Sequence, residues 1–101
     1  MPSVVEYTMV AKPGQYDALV GAYVEFADRF ALANPSEDLI LITGDPESGV
    51  VRGIGVFGSQ IDGKVVYDAA IFVAFREFAA RLVDGEPERT ERDLIHVFVR
   101  E

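Results

Sequence analysis

The chain has 101 residues, enough for one domain with a single hydrophobic core, and half of its residues are hydrophobic. Its 17 acidic and 9 basic side chains give a formal net charge of −8, which repels nucleic acid and anionic lipid, so we expect neither nucleic acid nor a membrane as a partner. The absence of Cys excludes disulfides, thiolate nucleophiles and sulfur-ligated metal sites.

The first predicted elements are a strand and a helix. Residues 1–10, MPSVVEYTMV, carry no basic cluster typical of a signal peptide, and no apolar run approaches the roughly 18 residues that cross a bilayer, so we expect a cytoplasmic protein. The β-branched and aromatic residues of 3–11 predict a strand that ends at the turn KPG. Apolar residues at helical spacing then predict an amphipathic helix from Gln15 to about Ala33.

A hairpin follows the first helix. The segment LILIT, residues 39–43, predicts a short strand, and GDPESG provides a turn. The segment VVRGIGVFG, residues 50–58, predicts the return strand.

The return strand contains Gly53, Gly55 and Gly58 at the G-x-G-x-x-G spacing of dinucleotide-binding loops. That motif requires a strand that turns directly into the N-terminus of a helix. Here a helix beginning at Gly55 would start with poor helix formers, so we reject the dinucleotide interpretation. The glycines instead predict a thin patch of strand against which a ligand or an aromatic side chain packs.

The last third of the chain predicts a helix and a strand. Ser59 and Asp62 are predicted to cap a second helical region, whose apolar residues from Val65 to Leu82 lie near one face. The segment EPERTER, residues 86–92, predicts a charged surface loop, and DLIHVFVR, residues 93–100, predicts the final strand. The order β-α-β-β-α-β predicts a ferredoxin-like α+β fold over the single domain 1–101, with a four-stranded antiparallel sheet and both helices on one face.

The strands predict a homodimer. Both sides of the first and last predicted strands carry mainly apolar residues, so a sheet with one face in water would expose a large apolar patch. A second copy that packs sheet against sheet would cover it. We expect that contact to bury Val5, Tyr7, Met9, Leu94, His96 and Phe98.

Four segments carry a resemblance to a known family: KPGQYDALVGAY after the first strand, the hairpin DPESG, VFGS at the end of the third strand, and AAIFVAFREFAARL in the second helix. Over nearly its whole length the chain resembles the dimeric α+β barrel superfamily, and most of all its antibiotic biosynthesis monooxygenase (ABM) branch. Members of this branch include cofactor-independent oxygenases of polyketide anthrones, haem-degrading enzymes, quinol oxygenases and many proteins with no known activity.

The functional residues of these relatives are not retained. Haem-degrading members use an Asn on the first strand with a Trp and a His on the second helix, and the matched positions here are Glu6, Val66 and Arg76. Anthrone oxygenases use a Trp on the third strand, and this chain contains no Trp. The resemblance therefore leaves open both an enzyme and a domain that has lost the catalytic groups of the family.

Three side chains are candidates for catalysis. His96 is the only imidazole in the sequence and could act as a base, although its alternation with Leu94 and Phe98 equally favours a hydrogen-bonded core or interface histidine. The resemblance places Glu6 towards the pocket, where it could act as an acid or base, or it could form an ion pair at the sheet edge. Arg76 could hold an anionic oxygen of the substrate, or it could be a solvated surface residue.

The pocket is expected between the second helix and the sheet, lined by Phe57, Val66, Tyr67 and Phe72. One interpretation is a cofactor-independent monooxygenase or isomerase acting on a small, apolar, aromatic or enolisable substrate, with no metal, flavin or other cofactor. The alternative is a non-catalytic module that binds a small apolar ligand or only dimerises. In either case the aromatic residues could instead be ordinary core packing.

Overall fold

The computed structural model describes residues 2–33, 37–58 and 70–100. Its elements are β1 (Ser3–Val10), α1 (Tyr16–Ala33), β2 (Glu37–Asp45), β3 (Val50–Phe57), α2 (Ala70–Ala79) and β4 (Glu88–Asp93). The predicted order β-α-β-β-α-β is confirmed. No helix within these residues is long and apolar enough to cross a membrane.

The four strands form one antiparallel sheet in the order β2-β3-β1-β4. Both helices pack on the same face, which we call the inner face: the ring of Tyr7 on β1 meets that of Phe72 on α2, and Tyr23 of α1 lies over Gly53 of β3. The opposite, outer face has no helix from the described residues against it. The predicted ferredoxin-like fold is therefore confirmed.

Aromatic rings fill the core between the helices and the sheet. Helix α1 buries its residues at spacings of three and four, and these include Tyr23, Phe26 and Phe30. Phe26 stacks on Phe75 of α2 with ring centres 4.5 Å apart, and it meets Phe72 edge-on at 5.3 Å. Such pairs contribute roughly 0.5–1.5 kcal/mol each beyond burial of their area, so they fix the two helices against each other.

The turn between β2 and β3 is held by Asp45. Its carboxylate accepts hydrogen bonds from the backbone N–H of Glu47 at 3.0 Å and from the Ser48 hydroxyl at 2.9 Å, and these bonds lower the pKa of Asp45. Gly49 then adopts a φ of 78°, in the left-handed region that glycine tolerates best. The predicted hairpin is thus formed by a side-chain-capped turn that ends in glycine.

The prediction of a final strand over residues 93–100 is wrong. The strand that pairs with β1 is β4, Glu88–Asp93, which lies within the segment predicted to be a charged loop. The reason is the short connection after α2: the Lys12 N–H donates to the Leu82 carbonyl at 2.8 Å, and the Asp84 N–H donates to the Val10 carbonyl at 2.7 Å. Pairing with β1 therefore starts before Glu88 and reaches the start of β1 at Asp93.

The residues expected to face a second copy are also placed differently. Tyr7 and Met9 point to the inner face and are 5% and 1% exposed, so they belong to the core of the single chain. The outer face instead presents Val4, Leu39, Leu41, Ile54 and Val56, as the alternation of the paired strands requires. The predicted second helix begins at Ala70 in the described residues, and its expected start at Ser59 lies outside them.

The glycines of β3 lie within a strand, and no helix begins at Gly55, in agreement with the rejection of a dinucleotide loop. Gly53 lies directly beneath the Tyr23 hydroxyl, which occupies the space that a Cβ atom would need. An aromatic side chain therefore packs against the thin patch, which is one of the two occupants predicted for it. Gly21, in contrast, lies on the exposed side of α1 with no atom within 4 Å of an added Cβ.

These two glycines give a matched pair of alanine variants. We expect Gly53→Ala to lower the free energy of unfolding by about 1–3 kcal/mol, because the new methyl group displaces a buried tyrosine. Gly21→Ala should raise it by about 0.5–1 kcal/mol, because alanine favours a helix. Urea denaturation followed by circular dichroism measures both, and a neutral Gly53→Ala would contradict the close packing of Tyr23.

Candidate functional site

A cavity lies between the two helices and the inner face of the sheet, above the glycines of β3. Its walls are aromatic and include Phe26, Phe30, Phe57 and Phe72. The cavity has a volume of about 30 Å³. The rings therefore leave room for about one ordered water, and any larger ligand must displace side chains.

Glu37 brings a carboxylate into this apolar cavity. The pairing of β2 with β3 shifts between Glu37 and Leu39, so that Asp38 is an extra residue and Glu37 lies opposite Phe57. Without this bulge, alternation would place Glu37 on the same face as Leu39 and Leu41, which is the outer face. The bulge thus turns the carboxylate inwards.

The carboxylate of Glu37 is poorly solvated. Its Oε2 lies 2.9 Å from the position of a Cβ atom added to Gly55, and its Oε1 is buried and accepts no hydrogen bond from the described residues. Burial raises the pKa of Glu37 from 4.5 to about 7. The group can therefore accept and release a proton near neutrality, as a general acid or base must.

Tyr23 places a hydroxyl beside this carboxylate. The hydroxyl lies over Gly53, and Glu37 lies over Gly55, which faces the same side of the sheet two residues further along β3. Burial first, and then the charges of Tyr7 and Glu37, raise the pKa of Tyr23 above its ordinary value. Tyr23 therefore stays protonated and can donate a hydrogen bond to an anionic ligand.

Arg89 contributes a positive charge to the lining of the cavity. It lies on the inner face of β4, opposite Tyr7, and its Nη2 is 3.1 Å from Glu91 Oε2. The described lining thus combines a carboxyl that titrates near neutrality, a protonated phenol and a guanidinium among aromatic rings. Such a set can remove a proton from a weakly acidic apolar molecule and stabilise the anion that results.

Two of the four predicted lining residues are in the cavity. Phe57 and Phe72 form part of its walls. Val66 and Tyr67 lie outside the described residues, so their predicted contribution stays a prediction.

The predicted catalytic residues are dispersed. Of the two alternatives for Glu6, the pocket placement is wrong and an ion pair is present: Glu6 lies on the outer face, where Arg92 Nη1 is 3.3 Å from its Oε2. The guanidinium carbon of Arg76 lies 5.4 Å from the centre of the Phe72 ring, and Arg76 lines a separate groove with Tyr7 and Ala79. His96 is exposed, beyond β4. The cavity lining described above includes none of the three.

Solved structures share this architecture. NE2512, a Nitrosomonas europaea protein of unknown function, gives a TM-score of 0.84 at 19% identity over 99% of this chain and 95% of its own. A Caulobacter crescentus protein described as a "putative antibiotic biosynthesis monooxygenase" gives 0.83 at 17% identity over 94% and 91%. Rv0793 from Mycobacterium tuberculosis gives 0.82 at 12% identity over 96% and 98%. The chain has the ABM-like fold.

The similarity is one of fold, at sequence identities too low to carry functional residues across. No protein-family model and no curated protein sequence matches the chain. The chemistry of this domain must therefore be argued from its own cavity. Among the described residues, no group of three or more His, Asp or Glu side chains is arranged to hold a metal ion.

The residues that the sequence analysis missed are Glu37, Tyr23 and Arg89. Glu37 precedes the predicted strand 39–43, and strict alternation would place it on the outer face. Tyr23 falls within the apolar spacing that predicts α1, although a buried Tyr next to a glycine-rich strand is a signal for a hydroxyl that packs on the backbone. Arg89 was missed because its strand was predicted to be a loop.

The raised pKa of Glu37 predicts a pH-dependent stability. The folded state holds this proton more tightly than the unfolded state, so its contribution to the free energy of unfolding is complete below about pH 4.5 and is lost as the pH rises to about 7. In Glu37→Gln this loss is absent, so the variant should gain stability relative to the parent chain across that window. Urea denaturation of both proteins from pH 4 to 8 measures the difference, and a constant difference would contradict the burial of the carboxylate.

Proposed function

We propose that this domain is a cofactor-independent monooxygenase acting on a small, apolar, enolisable aromatic substrate in the cavity, with Glu37 as the general base. The observation that carries the proposal is the Glu37 carboxylate turned by the β2 bulge into an aromatic cavity, with a buried Oε1 that accepts no hydrogen bond from the described residues. The description of the Caulobacter crescentus protein that shares the fold names the same class of reaction.

The reaction needs only the substrate and molecular oxygen. Glu37 removes a proton from an activated CH₂ carbon beside the aromatic ring, and the negative charge delocalises onto an enolate oxygen. Dioxygen bonds to that carbon, takes the proton back and forms a hydroperoxide. Loss of water then leaves a carbonyl group: the carbon gives up four electrons, one oxygen atom remains in the carbonyl, and the other leaves as water with both hydrogens.

Tyr23 and Arg89 stabilise the anion in this scheme. Tyr23 stays protonated, and its hydroxyl donates a hydrogen bond to the enolate oxygen. The Arg89 guanidinium offsets the negative charge of the enolate. The aromatic walls exclude water, which strengthens both interactions. Because the free volume is small, a substrate must replace the water and move the surrounding rings.

The second candidate function is a non-catalytic module that binds a small ligand or dimerises. The small volume of the cavity, about 30 Å³, supports this function, because the aromatic side chains leave room for no more than about one water. The two candidates differ in one respect that can be measured, because a binding module does not consume oxygen.

Oxygen uptake with anthrone and with smaller ketones that carry an activated CH₂ group beside an aromatic ring tests the enzyme. We expect Glu37→Gln to lower kcat/KM by about 10²–10⁴, which is the usual contribution of a general base. The value of kcat/KM for the parent chain should rise with pH, with a midpoint near 7, as Glu37 loses its proton. Tyr23→Phe should lower kcat/KM by up to about tenfold through loss of one hydrogen bond.

Glu25→Gln is the matched control, because Glu25 is an exposed carboxylate on α1 that pairs with Arg29. It should leave kcat/KM unchanged. An equal loss of activity in Glu6→Gln and Glu37→Gln would contradict the assignment of the base to Glu37. Absence of oxygen uptake with every substrate, together with saturable binding of one of them, would favour the non-catalytic module.

We also propose that two copies associate through the outer faces of their sheets. Leu39 and Leu41 are 45% and 48% exposed there, and they lie beside the partly exposed Ile54 and Val56 of β3. This row is the main apolar part of a face against which no described helix packs. A two-fold contact would bring the same row of both copies together.

Light scattering tests the dimer. We expect twice the mass of one chain at micromolar concentration, and the mass of a single chain for Leu41→Glu, because the carboxylate would be buried in the contact. Leu32→Glu is the control: Leu32 is 89% exposed on α1, so this variant should stay dimeric. A parent chain that is monomeric at this concentration would contradict the proposal.

A further inference from the structure

A groove separate from the aromatic cavity lies beside the connection from α2 to β4. It has a volume of about 360 Å³, against about 30 Å³ for the cavity, and small-molecule sites typically measure roughly 300–1,000 Å³. Its floor is apolar and buried, and is formed by Tyr7, Ala79 and Val83. The small residues Ala80 and Gly85 lie on its exposed side. The groove therefore has room for a molecule that the cavity cannot hold.

The ring of Tyr7 is shared by the groove and the cavity. Tyr7 lines both spaces, and its ring meets that of Phe72 edge-on with centres 5.2 Å apart. Tyr7 also lies opposite Gly53 of β3, over which the Tyr23 hydroxyl lies. Because paired strands are about 4.8 Å apart, the groove is separated from the Tyr23 hydroxyl by little more than the Tyr7 ring.

Arg76 brings a guanidinium to the groove. It follows Phe72 by one turn of α2 and is half-buried, and its guanidinium carbon lies 5.4 Å from the centre of the Phe72 ring. This cation–π contact restricts a side chain that otherwise has many rotamers, so less entropy is lost when a ligand binds to it. A guanidinium presents its N–H groups in a planar fork that matches the two oxygens of a carboxylate.

The charges around the groove favour an anion with a single charge. Glu86 is an exposed acidic residue in the described lining. A phosphate with two negative charges would be repelled by Glu86, and by the net charge of −8, about twice as strongly as a carboxylate would. The N–H groups of Leu82 and Val83 donate to the Ala79 carbonyl, so the end of α2 presents less negative charge than an open helix end.

We infer that the groove binds a carboxylate group of the substrate through Arg76, so that the substrate is an aromatic ketone that carries an acidic group. This inference rests on the proposed monooxygenase and narrows its substrate. The bulk of the molecule lies in the groove, and its reacting CH₂ group passes Tyr7 and Phe72 into the cavity. A cavity of about 30 Å³ then has to admit a group about the size of one water.

A structural role for Arg76 makes a different prediction. Arg76 lies in the last turn of α2, where a cation stabilises the helix. That role alone would change the stability of the domain when Arg76 is replaced, but it would not change which ligand the groove prefers. The charge preference of the groove is therefore the quantity to measure.

Binding without turnover tests the inference, with 2-naphthoate as the probe and its uncharged amide, 2-naphthamide, as the reference. Neither has an activated CH₂ group, so the proposed reaction cannot consume them. In titration calorimetry we expect the parent chain to bind naphthoate about tenfold or more tightly than naphthamide, and Arg76→Gln to remove this preference. Arg81→Gln is the matched control and should retain it, because Arg81 is exposed and does not belong to the described lining of the groove.

Arg76→Lys covers the case in which Arg76→Gln fails to fold. It keeps a cation in the last turn of α2 but lacks the planar fork, so it should weaken the binding of naphthoate while the urea midpoint stays unchanged. Unchanged binding of naphthoate in this variant would contradict the role of the fork.

Oxygen uptake separates this inference from the proposed function. An anthrone that carries a carboxylic acid should have a lower KM than anthrone at a similar kcat, and Arg76→Gln should raise this KM to that of anthrone. Equal binding of naphthoate and naphthamide, or equal effects of Arg76→Gln and Arg81→Gln on that binding, would overturn the inference and leave the monooxygenase standing. Naphthoate binding that depends on Arg76, without oxygen uptake from either anthrone, would contradict the monooxygenase and leave the carboxylate site standing.

Discussion

The two glycines on the inner face of β3 are the constraint on which the site depends. Because Gly53 and Gly55 have no side chains, polar groups from above can reach the level of the sheet backbone, where Tyr23 and Glu37 now lie. Any larger residue at either position would lift these groups into the layer of aromatic rings. The absence of side chains at these two positions thus allows a hydroxyl and a carboxylate to lie beneath the aromatic rings of the core.

Most of the fold could be predicted from the sequence, because it is carried by local patterns. The first strand, α1 and the β2–β3 hairpin follow from composition, helical spacing and turn residues, and the structure has them within a few residues of the expected bounds. The final strand could not be predicted in this way. The chain after α2 reaches β1 within a few residues, and this short connection decides which residues pair with β1. The paired residues are therefore the charged ones, although the segment that follows them has a composition more typical of a strand.

The candidate site was harder to predict, for two physical reasons. A bulge changes the face on which a residue lies, but the pattern of apolar and polar residues in the sequence does not show where a bulge occurs. Glu37 could therefore not be assigned to the cavity from the sequence. Which polar side chains reach the cavity also depends on which side of each strand faces the helices. For β1 this side carries Tyr7 and Met9, so the neighbouring Glu6 lies in the opposite layer with Arg92.

The unlike edges of the sheet have a consequence for how far edge-to-edge pairing can continue. Charged side chains along β4 resist pairing with another strand, whereas the centre of β2 reads Leu-Ile-Leu-Ile. Each copy therefore has one edge that accepts a further strand and one that does not. Because pairing of two copies through β2 would occupy both apolar edges, association by this route would stop at two and would not continue into a fibre.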